Sequence, residues 1–140
     1  MKRKSIVLAL SGLFFFSSSV FATGGSYSST ISAPTINVKN QWYSKAFPVM
    51  SGTPSAGKIG EVYYTWAYGR TQAGLQVSLC TSTSSKCVDI TSAKSGSVDF
   101  TSSNFAPNQE FILKAMVNGT GAMVPLYGNQ SQLIVNYTFN

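Results

Sequence analysis

The chain has 140 residues, 44% of them hydrophobic and 10% charged, with ten Lys and Arg against four Asp and Glu, two cysteines and no histidine. That is one domain's length, and without histidine neither a Ser/His nor a Cys/His nucleophile and base can be assembled. Asp89 and Asp99 are the one pair on which a two-carboxylate glycosidase could draw, but both stand in polar strand or loop sequence that suits a solvated role. No enzyme, no cofactor and no metal is expected, since two cysteines cannot supply the three or four ligands of a metal centre.

Residues 1–22 have the form of a cleavable export signal. Lys2, Arg3 and Lys4 make a basic leader, Ile6 to Phe16 is a mostly apolar run, and Val20-Phe21-Ala22 offers small residues where a signal peptidase reads. A membrane anchor is the alternative, but a spanning helix needs about 20 apolar residues, and this run is broken by Ser11, Gly12 and the serines at 17–19. Cleavage after Ala22 leaves a single domain at 23–140, with no membrane insertion expected of the product. It also removes three of the ten basic residues, so the net charge of +6 falls to about +3. The remaining cations are scattered singly, which argues against a nucleic-acid partner.

Along the exported part, Ser, Thr, Gly, Asn, Val and Tyr dominate, and no sustained helical period of apolar residues appears. "TGGSYSSTISAPT" at 23–35 predicts a flexible lead-in or a weak edge strand. In "TINVKNQWY", Ile36 and Val38 alternate with polar neighbours and predict a strand. "FPVMSGTPSAGKIG" predicts a loop from its three glycines and two prolines. "EVYYTWAYGR" is the clearest strand, with Val62, Tyr64, Trp66 and Tyr68 on one face and Tyr63 on the other.

"GLQVSLC" and "KCVDIT" follow, alternating as two strands of a hairpin. The alternation puts Cys80 and Cys87 on the polar face, opposite each other at the turn end. In an oxidising compartment the pair is expected to be a disulfide, in preference to a redox couple, whose usual spacing is C-x-x-C. "GSVDFTS" and "EFILKAMVNG" predict further strands, the latter with Phe111, Leu113, Ala115 and Val117 inward. Pro125 marks "AMVPLYG" as an edge or a bulge, and "QLIVNYTF" closes the chain with Leu133, Val135, Tyr137 and Phe139 on one face.

Seven or eight short strands predict an all-β fold, a small antiparallel β-sandwich with one hairpin disulfide, with a small barrel as the alternative. Tyr64, Trp66 and Tyr137 are the expected core aromatics. Trp42, Tyr43, Tyr63 and Arg70 are the expected partner-binding surface, because aromatic and arginine side chains anchor protein contacts. Asn118, Asn129 and Asn136 begin N-x-S/T triplets, which matter only in a eukaryotic secretory route.

"AGLQVSLC", "KCVDI", "NGTGAMVPL" and "NQSQLIVNY", in that order and after the "GGSY" start and the Trp66 strand, resemble the periplasmic flagellar protein FlhE family. The cysteine loop is longer and richer in serine than the family's, and 39–60 matches only loosely. The resemblance implies a non-catalytic periplasmic sandwich of flagellated Gram-negative bacteria, with flagellar rod, hook or export-apparatus proteins as partners. It further implies a monomer that acts as a chaperone or regulator of flagellar assembly, bearing on motility, swarming and proton leak through the export apparatus. A carbohydrate-binding module and a pilus or adhesin subunit are the alternative functions that the same composition allows.

Overall fold

The computed structural model describes residues 23–139, so the expected leader lies outside the described residues. Eight strands form: β1 (Thr23–Ser32), β2 (Tyr43–Phe47), β3 (Lys58–Thr65), β4 (Leu75–Thr81), β5 (Cys87–Asp89), β6 (Ser95–Asp99), β7 (Phe111–Val117) and β8 (Gln130–Phe139). A short 3-10 turn at Thr101–Ser103 is the only helical element among the described residues. No helix there is long and apolar enough to cross a membrane.

The strands make two antiparallel four-stranded sheets, one ordered β1-β8-β3-β6 and the other β2-β7-β4-β5. This is the sandwich that the strand count predicts. Only β4 and β5 are joined as a hairpin; every other connection passes from one sheet to the other. The residues at 23–35 do form a strand, an edge strand paired over ten residues with β8. "TINVKNQWY" does not form one: Ile36 makes an isolated bridge to Leu126, and Asn40 takes a left-handed turn conformation (φ 63°). The chain straightens again only at Tyr43.

The inner faces follow the two-residue period of a strand. On β7, Phe111, Leu113, Ala115 and Val117 are buried and the residues between them partly exposed. On β3 the register against β8 shifts by one residue between Ile59 and Val62, a bulge that turns both inward although they are three apart. Buried hydroxyls are hydrogen-bonded rather than stranded: Ser131 donates to the Asn129 carbonyl and accepts from the Ala67 N–H. Among the described residues no buried side-chain polar atom lacks a partner.

Trp66, 4% exposed, ties the sheets together where β3 ends. Its indole N–H is shared between the carbonyls of Ile90 (3.0 Å) and Ala93 (3.1 Å), in the connection from β5 to β6. Tyr64 is buried over Gly96, its register partner on β6, where an added Cβ would lie 2.8 Å from the phenol oxygen. Tyr137 uses the same device against Gly25, with only 2.7 Å between its ring and a Cβ built there. It is nevertheless half-buried and packs against the core's margin. The expected core position of Tyr137 is therefore a marginal one, beside the fully buried Ile59 with which it is in register on β3.

Cys80 and Cys87 are directly opposed on β4 and β5 and form the expected disulfide. Their surroundings differ from the polar face that the alternation implies. Cys80 is 1% exposed, flanked on one side by Ile112 of β7 and on the other by Cys87, which is itself exposed. Burial also acts on Tyr27, raising its phenol pKa to about 12, reinforced by the negative charges of Glu110 and ionised Tyr137. Tyr68, whose hydroxyl donates to the Pro34 carbonyl at 2.8 Å, is pushed upward by burial as well.

Three outcomes follow from this packing. Trp66→Ala empties a buried indole site and is expected to cost roughly 3–5 kcal/mol in denaturant unfolding; an unchanged midpoint would remove Trp66 from the core. Replacing both cysteines by alanine should lower stability by about 2–3 kcal/mol, the most that so short a loop closure supplies, and reductant should act only on the native chain. A phenol whose folded pKa is raised contributes stability that is complete below its unfolded value near 10 and is lost as pH climbs towards about 12. Melting temperatures should therefore decline above pH 10, and less steeply in Tyr27→Phe; parallel declines in the two proteins would discount the Tyr27 contribution.

Candidate functional site

The four carboxylates are turned to local structural tasks or left in solvent. Asp89 accepts the Thr91 N–H (2.9 Å), and Asp99 accepts the N–H and hydroxyl of Thr101. These hydrogen bonds hold both carboxyls below their usual range, and the same D-x-T spacing produces both. Glu61 accepts the Ser97 hydroxyl at 2.7 Å across the β3–β6 pair. Among the described residues no three His, Cys, Asp or Glu side chains gather in a way that would hold a metal. Asp89 stands on one sheet and Asp99 on the other.

The four expected contact residues do not converge. Trp42, 44% exposed, stands just before β2 at the outer face of its sheet, with the Lys114 ammonium 5.9 Å from its ring. Together with Ser78, Cys80 and Cys87 these two line an open recess of about 230 Å³. Tyr43 is half-buried and its hydroxyl accepts the Val38 N–H at 3.1 Å. Tyr63 lies on the outer face of the other sheet, in register with Ile134, both partly exposed. Arg70 is in neither sheet but in the connection from β3 to β4.

Around Arg70 the structure gathers what single-strand patterns do not show. The connections 33–42, 66–74, 90–94 and 118–129 are hydrogen-bonded to one another at a single end of the sandwich. Ala33 N–H donates to Asn129, Gly69 N–H to Tyr127, Trp66 N–H to Lys94 and Asn118 N–H to Gly74, each onto a backbone carbonyl. Arg70 donates to the carbonyls of Val124 (2.6 Å) and Pro125 (2.8 Å), and Lys39 to that of Thr120 (2.8 Å). The Pro125 carbonyl accordingly serves as an acceptor for Arg70, in a segment that makes only isolated bridges.

This clamp displays Val124 and Tyr127 to solvent, 71% and 65% exposed. Arg70 also lines a cleft of about 250 Å³, together with Trp66, Tyr68, Leu75, Thr91 and Lys94. The Lys94 ammonium lies 6.0 Å from the Trp66 ring centroid. Val124, Tyr127 and Lys94 are absent from the expected surface because their segments carry no strand period to assign a face. The one sequence signal for Val124 and Tyr127 is an aromatic and apolar run between glycines with no strand of its own.

Comparison with known proteins places this arrangement. A family model described as flagellar protein FlhE matches residues 33–138. A solved structure titled "Crystal Structure of FLHE" is similar over 83% of this chain and 98% of its own, at 26% identity and a TM-score of 0.69. Dimeric latent PorU from Porphyromonas gingivalis aligns with 83% of this chain but 13% of its own, at 13% identity and a TM-score of 0.38, too distant to carry an argument. Among curated proteins none matches. With a family match across most of the folded residues and a solved relative of the same two-sheet form, the chain belongs to the FlhE family of flagellar proteins.

Proposed function

We propose that the protein is exported to the periplasm of a Gram-negative cell, loses residues 1–22 and works there as a non-catalytic accessory of the flagellum. In this reading the domain at 23–140 acts as a monomer that binds rod, hook or export-apparatus proteins. Its binding serves as a chaperone or regulator of assembly and limits proton leak through the export apparatus, with consequences for motility and swarming. The observation that carries the reading is the family match over residues 33–138. The Cys80–Cys87 disulfide supports the compartment, since such bonds persist where the surroundings are oxidising.

The physical case for binding rests on surfaces. Trp42, Tyr63 and Arg70 are exposed, and Tyr43 is half-buried. Aromatic and arginine side chains of this kind supply most of the energy of protein contacts when a partner desolvates them. A sandwich that offers such residues can hold a subunit without any chemistry.

The test is chemical crosslinking of the protein in the periplasm of motile cells, followed by recovery and mass spectrometry of its partners. Flagellar rod, hook or export-gate proteins are the expected catch. Recovery of pilus subunits or cell-wall glycan in their place would overturn the flagellar reading and favour an adhesin or a carbohydrate-binding role.

A further inference from the structure

The two ends of the sandwich differ in charge. The connections 33–42, 66–74, 90–94 and 118–129 carry Lys39, Arg70 and Lys94 and no carboxylate, while those at the other end balance Lys86 against Glu110. The carboxylate nearest in sequence, Asp89, is held by the Thr91 N–H. Arg70 is positioned by carbonyls of Val124 and Pro125 and by the Gln72 amide oxygen (3.4 Å), which orient its charge without neutralising it. Part of its donor fork stays open. Lys94 is held over the Trp66 ring, and an ammonium in that position keeps its charge available to an anion.

Exposed apolar groups accompany these cations. Val124 and Tyr127 stand beside Arg70, and Val38, 55% exposed, lies in the connection that also carries Lys39. Cations alone would attract any anion; cations that share their connections with exposed apolar side chains select one that has apolar neighbours.

We propose that this end of the sandwich binds an acidic segment of a protein partner, with a carboxylate seated in the cleft between Arg70 and Lys94 and apolar side chains resting on Val124 and Tyr127. The proposal deepens the flagellar reading by giving its partner contact a place and a chemistry, and it rests on that reading for the partner being a protein. A lipid surface fits less well, because basic clusters of about four to eight residues are the rule there. Three cations spread around a cleft suit single carboxylates. Arg70 has two roles in this site, presenting the Val124 loop and offering charge, whereas the Lys94 ammonium presents no loop and offers its charge from over the Trp66 ring.

The test is a titration of the 15N-labelled protein, recovered as cells export it, with a synthetic peptide of about twelve residues composed of glutamate and leucine. Saturable amide shifts confined to the segments around Lys39, Arg70, Lys94 and Tyr127 are expected, weakening as salt is added. Lys94→Glu should weaken binding at least about tenfold, and Lys94→Gln less; the amide spectrum of each variant reports directly whether it is folded. Lys58→Glu, at the start of β3 and so at the other end of the sandwich, should bind as the native protein does.

Absence of shifts would overturn the site. So would equal binding of a lysine and leucine peptide, or equal shifts with phosphatidylglycerol vesicles, which would assign the surface to lipid. The crosslinking experiment separates the two levels. Flagellar proteins recovered equally by the native chain and by Lys94→Glu would refute this site and leave the flagellar reading standing. Saturable peptide binding by a chain that recovers no flagellar protein would do the reverse.

Discussion

All but one of the connections in this sandwich pass from one sheet to the other. Each crossing carries backbone polar groups over the edge of an apolar core, and every such group that is shielded from water must find a partner. The indole of Trp66, donating to two carbonyls of the β5–β6 crossing, and the phenol of Tyr68, donating to Pro34 in the β1–β2 crossing, meet that demand from inside the core. The aromatic run that leaves the end of β3, Trp66 to Tyr68, thus does more than fill volume. It fixes the paths of connections to which it is not covalently adjacent, and the geometry of the loop end depends on it.

The binding end is a product of the same requirement. Arg70 satisfies carbonyls of the 118–129 connection that have no strand partner, and in doing so lifts Val124 and Tyr127 into solvent. A side chain that stabilises a loop and leaves an aromatic and an aliphatic group exposed beside it creates a preformed contact surface, with little ordering left to be lost when a partner arrives. The opposite end has no such clamp in the described residues, and its Lys86 is held by the Ser103 hydroxyl.

Strand alternation made much of this fold legible. The faces of β3, β7 and most of β8, and the opposition of Cys80 and Cys87, are two-residue patterns that local sequence contains in full. The inward turn of Ile59 was hidden, because a bulge adds a residue and the three-residue spacing from Val62 breaks the period. The segment 35–43 misled for a related reason: Ile36 and Val38 alternate, but Asn40 turns the chain and only one bridge survives. Tyr137 has the parity of a core residue, yet it is only half-buried, and parity assigns a face without a depth. The candidate site was least visible of all. Arg70 stood out by type, whereas Lys94, Val124 and Tyr127 acquire meaning only when four separate crossings meet.

The pairing of β1 with β8 has a consequence for when this molecule can exist. Thr23 faces Phe139 and Ser32 faces Gln130 along an unbroken ladder, and β8 is also the strand that separates β1 from β3. A chain emerging N-terminus first, from a ribosome or through a membrane, presents β1 and then β3 with nothing to join them. Their common partner comes more than a hundred residues after β1 begins. Pairings so distant in sequence are slow to form, so although β3 and β6 can pair earlier, the first sheet is completed late. Until β8 is free, β1 remains a ten-residue ribbon without a single charged side chain. Delivery of the C-terminal strand is therefore the step that turns an open chain into a closed sandwich.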